Sequence, residues 1–145
     1  MSMDDVYQMP GHLIRRAQQI AVSIFLEECG PADLTPVQYA ALVAIQGNPG
    51  IDATRLSALV AFDRSTLGNV LERMEAKNLI ERISSPADKR VKVLRLSPEG
   101  ERVLAQAEPL VLRTQERILA PLAPEDRAAF MRMLAMSLRA VGRLL

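Results

Sequence analysis

The chain has 145 residues, a formal net charge of +1, 49% hydrophobic and 3% aromatic residues, one histidine and one cysteine. That length suits one domain with appended helices, and its core must be built from aliphatic side chains and methionine. The single cysteine excludes an intrachain disulfide, and so little histidine and cysteine argues against zinc or a catalytic centre. No apolar run approaches about 18 residues and no signal-peptide pattern is seen, so we expect a cytoplasmic non-enzyme without cofactor or metal.

The first third of the chain is predicted to contain a polar arm and two helices. Residues 1–9 form the arm, and a helix with a wide apolar surface runs from about His12 to Cys29. The residues from Thr35 to Gln38 make a capping box with proline at the first helical position, so a second helix starts there.

A helix-turn-helix is predicted between residues 52 and 77. Asp52 and Asp63 are good N-caps for two short helices, because a short carboxylate accepts hydrogen bonds from first-turn amides. Asn78 suits the left-handed position that ends the second helix. One apolar stripe at helical spacing lies along that helix and consists of Leu67, Val70, Leu71 and Met74. Two short helices with a tight connection are typical of this motif.

The opposite face of the second helix is rich in side chains that recognise nucleic acids. It presents Arg64, Ser65, Thr66, Asn69 and Arg73. Arginine and asparagine pair with guanine and adenine edges in a major groove, whereas hydroxyls and helix N-terminal amides commonly contact phosphate. A capped helix that faces only solvent explains the same residues, so this face alone leaves both interpretations open.

A basic β-hairpin is predicted after the helix-turn-helix. Strands are expected over residues 79–83 and 90–96, joined by a turn that carries Lys89 and Arg90. A hairpin beside a recognition helix makes a winged helix, and basic residues at its tip can reach an adjacent minor groove. Asp88 would repel phosphate there unless it orients the Arg90 guanidinium.

The hairpin resembles the wing of the MarR family of bacterial regulators. The family's spacing is Asp-x-Arg, five residues, then Leu-Thr or Leu-Ser, and it is matched by Asp88, Arg90, Leu96 and Ser97. Residues 34–42 and 63–67 are similar to the family's second and recognition helices, and residues 9–28 are similar to regulators of aromatic-acid breakdown. The resemblance implies a mainly α fold with a small β-hairpin wing, in which a winged helix-turn-helix is flanked by N- and C-terminal dimerisation helices.

The last third of the chain is predicted to form two helices. Pro109 should kink or split the first of them, and the second begins near Pro124 with an apolar face that extends through Val141, Leu144 and Leu145. With the first helix of the chain, these apolar faces exceed what a small winged helix covers, which predicts a two-fold homodimer. The alternative is a monomer that folds these helices back on itself.

An effector site is predicted at the start of the first helix. His12 and Arg16 are one turn apart and can share a face. The family resemblance implies a crevice for small phenolic or carboxylic aromatics, where this pair could receive a carboxylate with Tyr39 opposite. Solvated residues or contacts with a partner subunit are the alternative.

The single cysteine is predicted to be structural. Cys29 follows Glu27 and Glu28, whose charges disfavour the thiolate that a redox sensor needs. A buried thiol is therefore favoured over a redox sensor.

The predicted organisation is a dimerisation helix in residues 1–33, a DNA-binding winged helix in 34–97 and dimerisation helices in 98–145. The predicted function is a dimeric repressor that binds pseudo-palindromic duplex DNA and is released by a small aromatic or carboxylic ligand. The alternative is a winged helix used for protein–protein assembly, whose wing charges only solvate it. The expected DNA-contacting residues are Arg64, Ser65, Thr66, Asn69, Arg73, Asp88, Lys89 and Arg90.

Overall fold

A computed structural model of the protein describes residues 1–140, which form seven α-helices, a short 3-10 helix and one two-stranded antiparallel sheet. The helices are α1 (Met3–Tyr7), α2 (Pro10–Glu28), α3 (Pro36–Gly47), α4 (Ala53–Leu59), α5 (Arg64–Ala76), α6 (Pro98–Leu119) and α7 (Pro124–Ala140). The 3-10 helix Gly30–Ala32 joins α2 to α3, and the strands are β1 (Ile80–Ser84) and β2 (Lys92–Leu96). The predicted fold class, mainly α with a winged helix-turn-helix, is confirmed.

The core of the winged helix is aliphatic and lies where α3, α4, α5 and the hairpin meet. Its fully buried large side chains include Leu42, Ile45, Ile51, Leu56, Leu67, Leu71, Met74 and Leu94. Burying one such side chain contributes roughly 1.5–3 kcal/mol to the free energy of folding, so this cluster dominates the stability of the winged helix. Val70, the remaining member of the predicted α5 stripe, packs at the edge of the core.

The predicted helix ends are confirmed in the winged helix. The Asp52 carboxylate accepts the Arg55 N–H at 2.8 Å, and the Asp63 carboxylate accepts the Thr66 N–H at 2.9 Å. Thr35 forms its capping box at the start of α3. Asn78 has a φ of 59°, the left-handed conformation that stops α5.

The hairpin is shorter than predicted and its tip is longer. The strands pair from Ile80 opposite Leu96 to Ser84 opposite Lys92, so Arg90 lies in the tip and not in a strand. The tip closes through its own turn hydrogen bonds, because the Val91 N–H donates to the Asp88 carbonyl at 3.0 Å and the Ser85 N–H donates to the Val91 carbonyl at 2.8 Å. These bonds replace the strand pairing that the sequence suggested.

The sequence predicted that Pro109 would kink or split this helix; α6 is continuous from Pro98 to Leu119, so the split is wrong. Proline lacks the N–H that would bond the carbonyl four residues earlier, which belongs to Ala105. Both Ala105 and Pro109 lie on the exposed face of α6, where water can satisfy that carbonyl. The opposite face is held by buried side chains, which are Val103, Leu104, Ala107 and Val111.

The predicted polar arm is also wrong, because residues 3–7 form a helix. Ser2 caps α1, and Ser2 and Asp5 make a reciprocal capping box in which the Ser2 N–H donates to the Asp5 carboxylate at 2.6 Å. Helix α2 then begins at Pro10, two residues before the predicted start, because proline suits the first helical position.

The helices outside the winged helix expose apolar side chains. A groove of about 480 Å³ lies between α2 and α7 and is lined almost entirely by apolar residues, among them Leu13, Ile14, Ala17, Phe130, Leu134 and Leu138. The predicted apolar residues Val141, Leu144 and Leu145 lie outside the described residues. Within residues 1–140, no helix has the length and apolar character needed to span a bilayer.

Candidate nucleic-acid interface

Helix α5 buries one face and exposes the other. Leu67, Leu71 and Met74 anchor it in the core, which fixes the helix rotation about its own axis. The predicted polar face is therefore presented outward, and every member is exposed: Arg64, Ser65, Thr66, Asn69 and Arg73. The sequence pattern placed these residues on the correct side.

The N-terminal end of α5 is organised by one carboxylate. One Asp63 oxygen accepts both the Thr66 N–H at 2.9 Å and the Ser65 hydroxyl at 2.8 Å. The other oxygen accepts the Thr66 hydroxyl at 2.6 Å. These hydrogen bonds, those from Thr66 first and that from Ser65 next, lower the pKa of Asp63 to about 2. The carboxylate is therefore ionised at neutral pH, and both hydroxyls donate to it.

The wing tip is organised by a second carboxylate. One Asp88 oxygen accepts the Arg90 backbone N–H at 3.0 Å and the Arg90 Nε–H at 3.3 Å. This is the predicted pairing of Asp88 with Arg90, although a backbone amide takes the place of the second guanidinium nitrogen. The Arg90 side chain is 92% exposed, so it projects from the tip while its Nε–H stays bonded to Asp88.

The basic side chains of the winged helix fall into two groups according to whether a carboxylate pairs with them. Four of its nine basic side chains form ion pairs: Lys77 with Asp33, Arg82 with Glu75, Arg90 with Asp88 and Arg95 with Glu81. Within residues 1–140, the other five have no carboxylate at ion-pair distance, and they are Arg55, Arg64, Arg73, Lys89 and Lys92. Arg55 on α4 and Lys92 on β2 are additions to the predicted DNA-contacting set.

The C-terminal end of α5 is held by contacts that the sequence did not predict. The Lys77 ammonium donates to the Asp33 carbonyl at 2.6 Å and lies 3.3 Å from its carboxylate. The Ser97 hydroxyl donates to the Asn78 carbonyl at 2.5 Å, and a Cβ at Gly100 would overlap the Leu79 carbonyl oxygen. These contacts join the end of α5 to α6 and to the residue that follows the 3-10 helix, so they set the orientation of α5.

One chain does not bring the predicted effector residues together. His12 contacts the Arg15 guanidinium at 3.3 Å and the Tyr7 ring at 5.4 Å between centroids, while Arg16 donates to Gln19. Tyr39 instead packs against Phe25, with 6.3 Å between ring centroids. His12 and Phe25 are 13 positions apart on α2, roughly 20 Å at the helical rise of about 1.5 Å per residue.

Tyr39 does border a cavity of its own. This cavity of about 300 Å³ lies between α3 and α6 and is lined by Tyr39, Val43, Gln46, Leu104, Ala105 and Glu108. Burial, followed by the charge of Glu108, raises the pKa of the Tyr39 hydroxyl. The phenol is therefore neutral at physiological pH and can donate a hydrogen bond.

Cys29 is fully buried, as the structural interpretation predicts. Burial raises the pKa of its thiol, the Thr114 hydroxyl opposes that shift, and the charge of Glu28 adds to it. A buried thiol with a raised pKa has little of the thiolate that oxidants attack.

The helix-turn-helix packs on a buried core, its second helix presents a polar face outward, and a basic wing lies beside it. These three features define a winged helix of the DNA-binding class. The chain belongs to the MarR family, whose pattern matches residues 32–91. Transcriptional regulator HosA of Escherichia coli O111:H- is 39% identical over 101 residues, which cover 70% of this chain and 75% of HosA. The predictions of family and of a transcriptional regulator that is not an enzyme are confirmed.

Solved structures agree over almost the whole chain. The transcriptional repressor CouR bound to a 23-mer DNA duplex has a TM-score of 0.84 at 31% identity, covering 94% of this chain and 96% of that one. CouR bound to p-coumaroyl-CoA has a TM-score of 0.86 at 29% identity, covering 96% and 98%. The PcaV regulator of Streptomyces coelicolor in complex with its natural ligand has a TM-score of 0.83 at 32% identity, covering 97% and 99%.

Proposed function

We propose that this protein is a homodimeric repressor that binds a pseudo-palindromic DNA operator and leaves it when a small aromatic or carboxylic ligand binds. The observation that carries the proposal is the outward polar face of α5 beside an exposed basic wing tip. Arg64 and Asn69 have the donor groups that read guanine and adenine edges. The similar CouR chain is seen bound to a DNA duplex, which supports the same use here.

The dimer is supported by the apolar groove between α2 and α7. Side chains that line it remain about half exposed, with Leu13 at 53% and Ile14 at 58%. A second copy that inserts its own terminal helices removes this surface from water, and a two-fold axis then places two winged helices on one side. Two recognition helices in successive major grooves require half-sites about 34 Å apart.

In the proposed complex, α5 lies in the major groove and the wing follows the backbone into the adjacent minor groove. Arg64, Asn69 and Arg73 face the base edges, while Lys89, Arg90 and Lys92 supply charge for phosphate or for the negative minor groove. Asp88 limits the freedom of the Arg90 side chain before DNA arrives, which lowers the entropy cost of the contact.

The ligand site is proposed at the junction between the winged helix and the terminal helices. The Tyr39 cavity offers a neutral phenol and the aliphatic side chains of Val43 and Leu104, which suit an aromatic ring, beside the polar side chains of Gln46 and Glu108. His12 and Arg16 are too far along α2 to join it within one chain, so their use for the ligand carboxylate depends on the second subunit. CouR bound to p-coumaroyl-CoA supports an aromatic acyl ligand or its coenzyme A thioester as the class to test.

Two measurements test this function. Selection from random duplexes should return an inverted repeat, whereas a winged helix used only for protein assembly would return no enriched motif. A thermal-shift screen against aromatic acids and their coenzyme A thioesters should find a ligand that raises the melting temperature. That ligand should then weaken binding to the selected duplex. If it tightened binding instead, the assignment as a repressor released by its ligand would be wrong.

A further inference from the structure

The hydroxyl groups at the start of α5 have a fixed hydrogen-bond direction. An ionised carboxylate can only accept hydrogen bonds, so Ser65 and Thr66 must be the donors in their 2.8 Å and 2.6 Å bonds to Asp63. Each hydroxyl has one proton, and Asp63 takes both. Only lone pairs are left to face outward from these two side chains.

This arrangement disfavours the phosphate contacts that the sequence suggested. The Thr66 N–H is also taken by Asp63, and the carboxylate places a negative charge at the helix end where a phosphate would otherwise bind. Phosphate oxygens need donors, and the hydroxyls of Ser65 and Thr66 offer only acceptors. The complementary partner of these hydroxyls is therefore a donor group on DNA.

The major groove carries such donors on only two bases. Adenine presents its N6 amino group and cytosine its N4 amino group, whereas guanine and thymine present the keto oxygens O6 and O4. We propose that Ser65 and Thr66, oriented by Asp63, read an amino base (adenine or cytosine) at one position in each half-site and reject a keto base there. This inference rests on the proposed DNA-binding function and adds the chemical class of base that the start of α5 recognises.

The discrimination has two sources. An amino base gains a hydrogen bond to a hydroxyl lone pair, and the nearby negative charge strengthens that bond. A keto base at the same place sets oxygen against oxygen and leaves both desolvated acceptors without a donor. The expected preference for the amino base is roughly tenfold in dissociation constant, the effect of a single hydrogen bond with the penalty for losing it.

Replacement of Asp63 by asparagine tests the direction of the bonds directly. Asparagine is an equally good N-cap, so its oxygen can keep the Thr66 N–H and the Ser65 hydroxyl. Its amide nitrogen then replaces the oxygen that accepts from Thr66 and donates to that hydroxyl instead. The Thr66 proton is released outward, and Thr66 becomes a donor to the groove.

The experiment is a selection from random duplexes with wild type and Asp63→Asn in parallel, followed by titration of the selected duplexes. Wild type should prefer adenine or cytosine at the position concerned, and Asp63→Asn should shift that position toward guanine or thymine. The double variant Ser65→Ala with Thr66→Val, which removes both hydroxyls but keeps the backbone cap, should lose the preference without inverting it. Thermal melting of each variant checks that it folds.

Base analogues give a second arm that does not use Asp63→Asn. If the selected base is adenine, 2-aminopurine keeps pairing with thymine but moves the amino group out of the major groove; if it is cytosine, 2-pyrimidinone removes the N4 amino group. Wild type should lose roughly tenfold in affinity on the analogue duplex, and the double variant Ser65→Ala with Thr66→Val should lose little.

The outcomes distinguish a failure of this inference from a failure of the proposed DNA-binding function. A wild-type motif that Asp63→Asn selects unchanged, or an analogue duplex that wild type binds as tightly as the parent, overturns the amino-base assignment and leaves the repressor proposal intact. A wild type that selects no motif overturns both. If Asp63→Asn does not fold, the analogue arm decides.

Discussion

The winged helix and the terminal helices differ in how much of their apolar surface one chain buries. The winged helix buries most of its large apolar residues, although Leu59 and Val43 stay exposed, and it presents polar residues on α5, so the polar face of α5 is complete in a single copy. Helices α2 and α7 show the reverse, with apolar side chains such as Leu13 and Met133 more than half exposed. Under the proposed function, base reading is encoded within one chain, whereas the spacing of two recognition helices depends on a second copy.

The largest effect is expected from a charge placed in the α2–α7 groove. Leu13→Glu should raise the dimer dissociation constant by about a hundredfold or more, because a two-fold interface contains the change twice and a buried unpaired carboxylate is costly. Leu59→Glu is the matched control, since Leu59 on α4 is similarly exposed, at 58% against 53% for Leu13. Sedimentation over a concentration series measures both. Equal dissociation of the two variants would contradict the assignment of the groove.

The contact between the winged helix and the terminal helices can be tested at Gly100 of α6. Gly100→Ala should lower the free energy of unfolding by about 3 kcal/mol, because its Cβ overlaps the Leu79 carbonyl oxygen and backbone must shift. Gly68→Ala on α5 is the control, since a Cβ there meets nothing within 4 Å. It should stabilise by roughly 0.5–1 kcal/mol through helix propensity. Urea unfolding compares them, and a loss of stability in both would contradict the steric argument.

The sequence predicted what local rules determine. Asp52, Asp63 and Asn78 could be assigned because caps and left-handed stops depend on a few neighbouring residues. The apolar stripe of α5 fixed which side faces outward, and so the exposed candidate residues. The helix at Met3–Tyr7 was missed although its Ser2 and Asp5 box is local, because the usual box has Glu or Gln in place of Asp.

What the sequence could not provide depends on distant contacts or on rotamers. Lys77 and Asp33 are 44 positions apart, and the close approach of Gly100 to Leu79 has no local pattern. The effect of Pro109 depended on which face of α6 it occupies. In the candidate site, the residue types were identified, but the donor direction of Ser65 and Thr66 depends on where the Asp63 carboxylate lies.

Within the winged helix, Asn69 should matter for specificity more than for general affinity. Asn69→Ala should cost about 1–3 kcal/mol on the selected duplex and little on a scrambled one, because a side-chain amide reads a base edge. Gln106→Ala, on the exposed face of α6, should leave the affinity for both duplexes unchanged. Fluorescence titrations on both duplexes measure the ratio. An unchanged ratio for Asn69→Ala would move base reading to Arg64 and Arg73.

The smallest expected effect concerns the wing tip, where Arg90 should act through charge and Asp88 through orientation. Arg90→Ala should weaken specific and scrambled duplexes alike and reduce the slope of log affinity against log salt by about one unit.

Asp88→Ala should reproduce part of that loss although it removes a negative charge, because the Arg90 N–H and Nε–H both lose their acceptor at 3.0 and 3.3 Å. Arg102→Ala is the matched control, since this exposed arginine pairs with Glu99 on α6, away from the wing. Titrations at four salt concentrations separate the contributions. If Asp88→Ala binds scrambled DNA more tightly than wild type, Asp88 acts as a repulsive surface charge and does not orient Arg90. Arg90, Lys89 and Lys92 would then contribute to the wing only as independent charges.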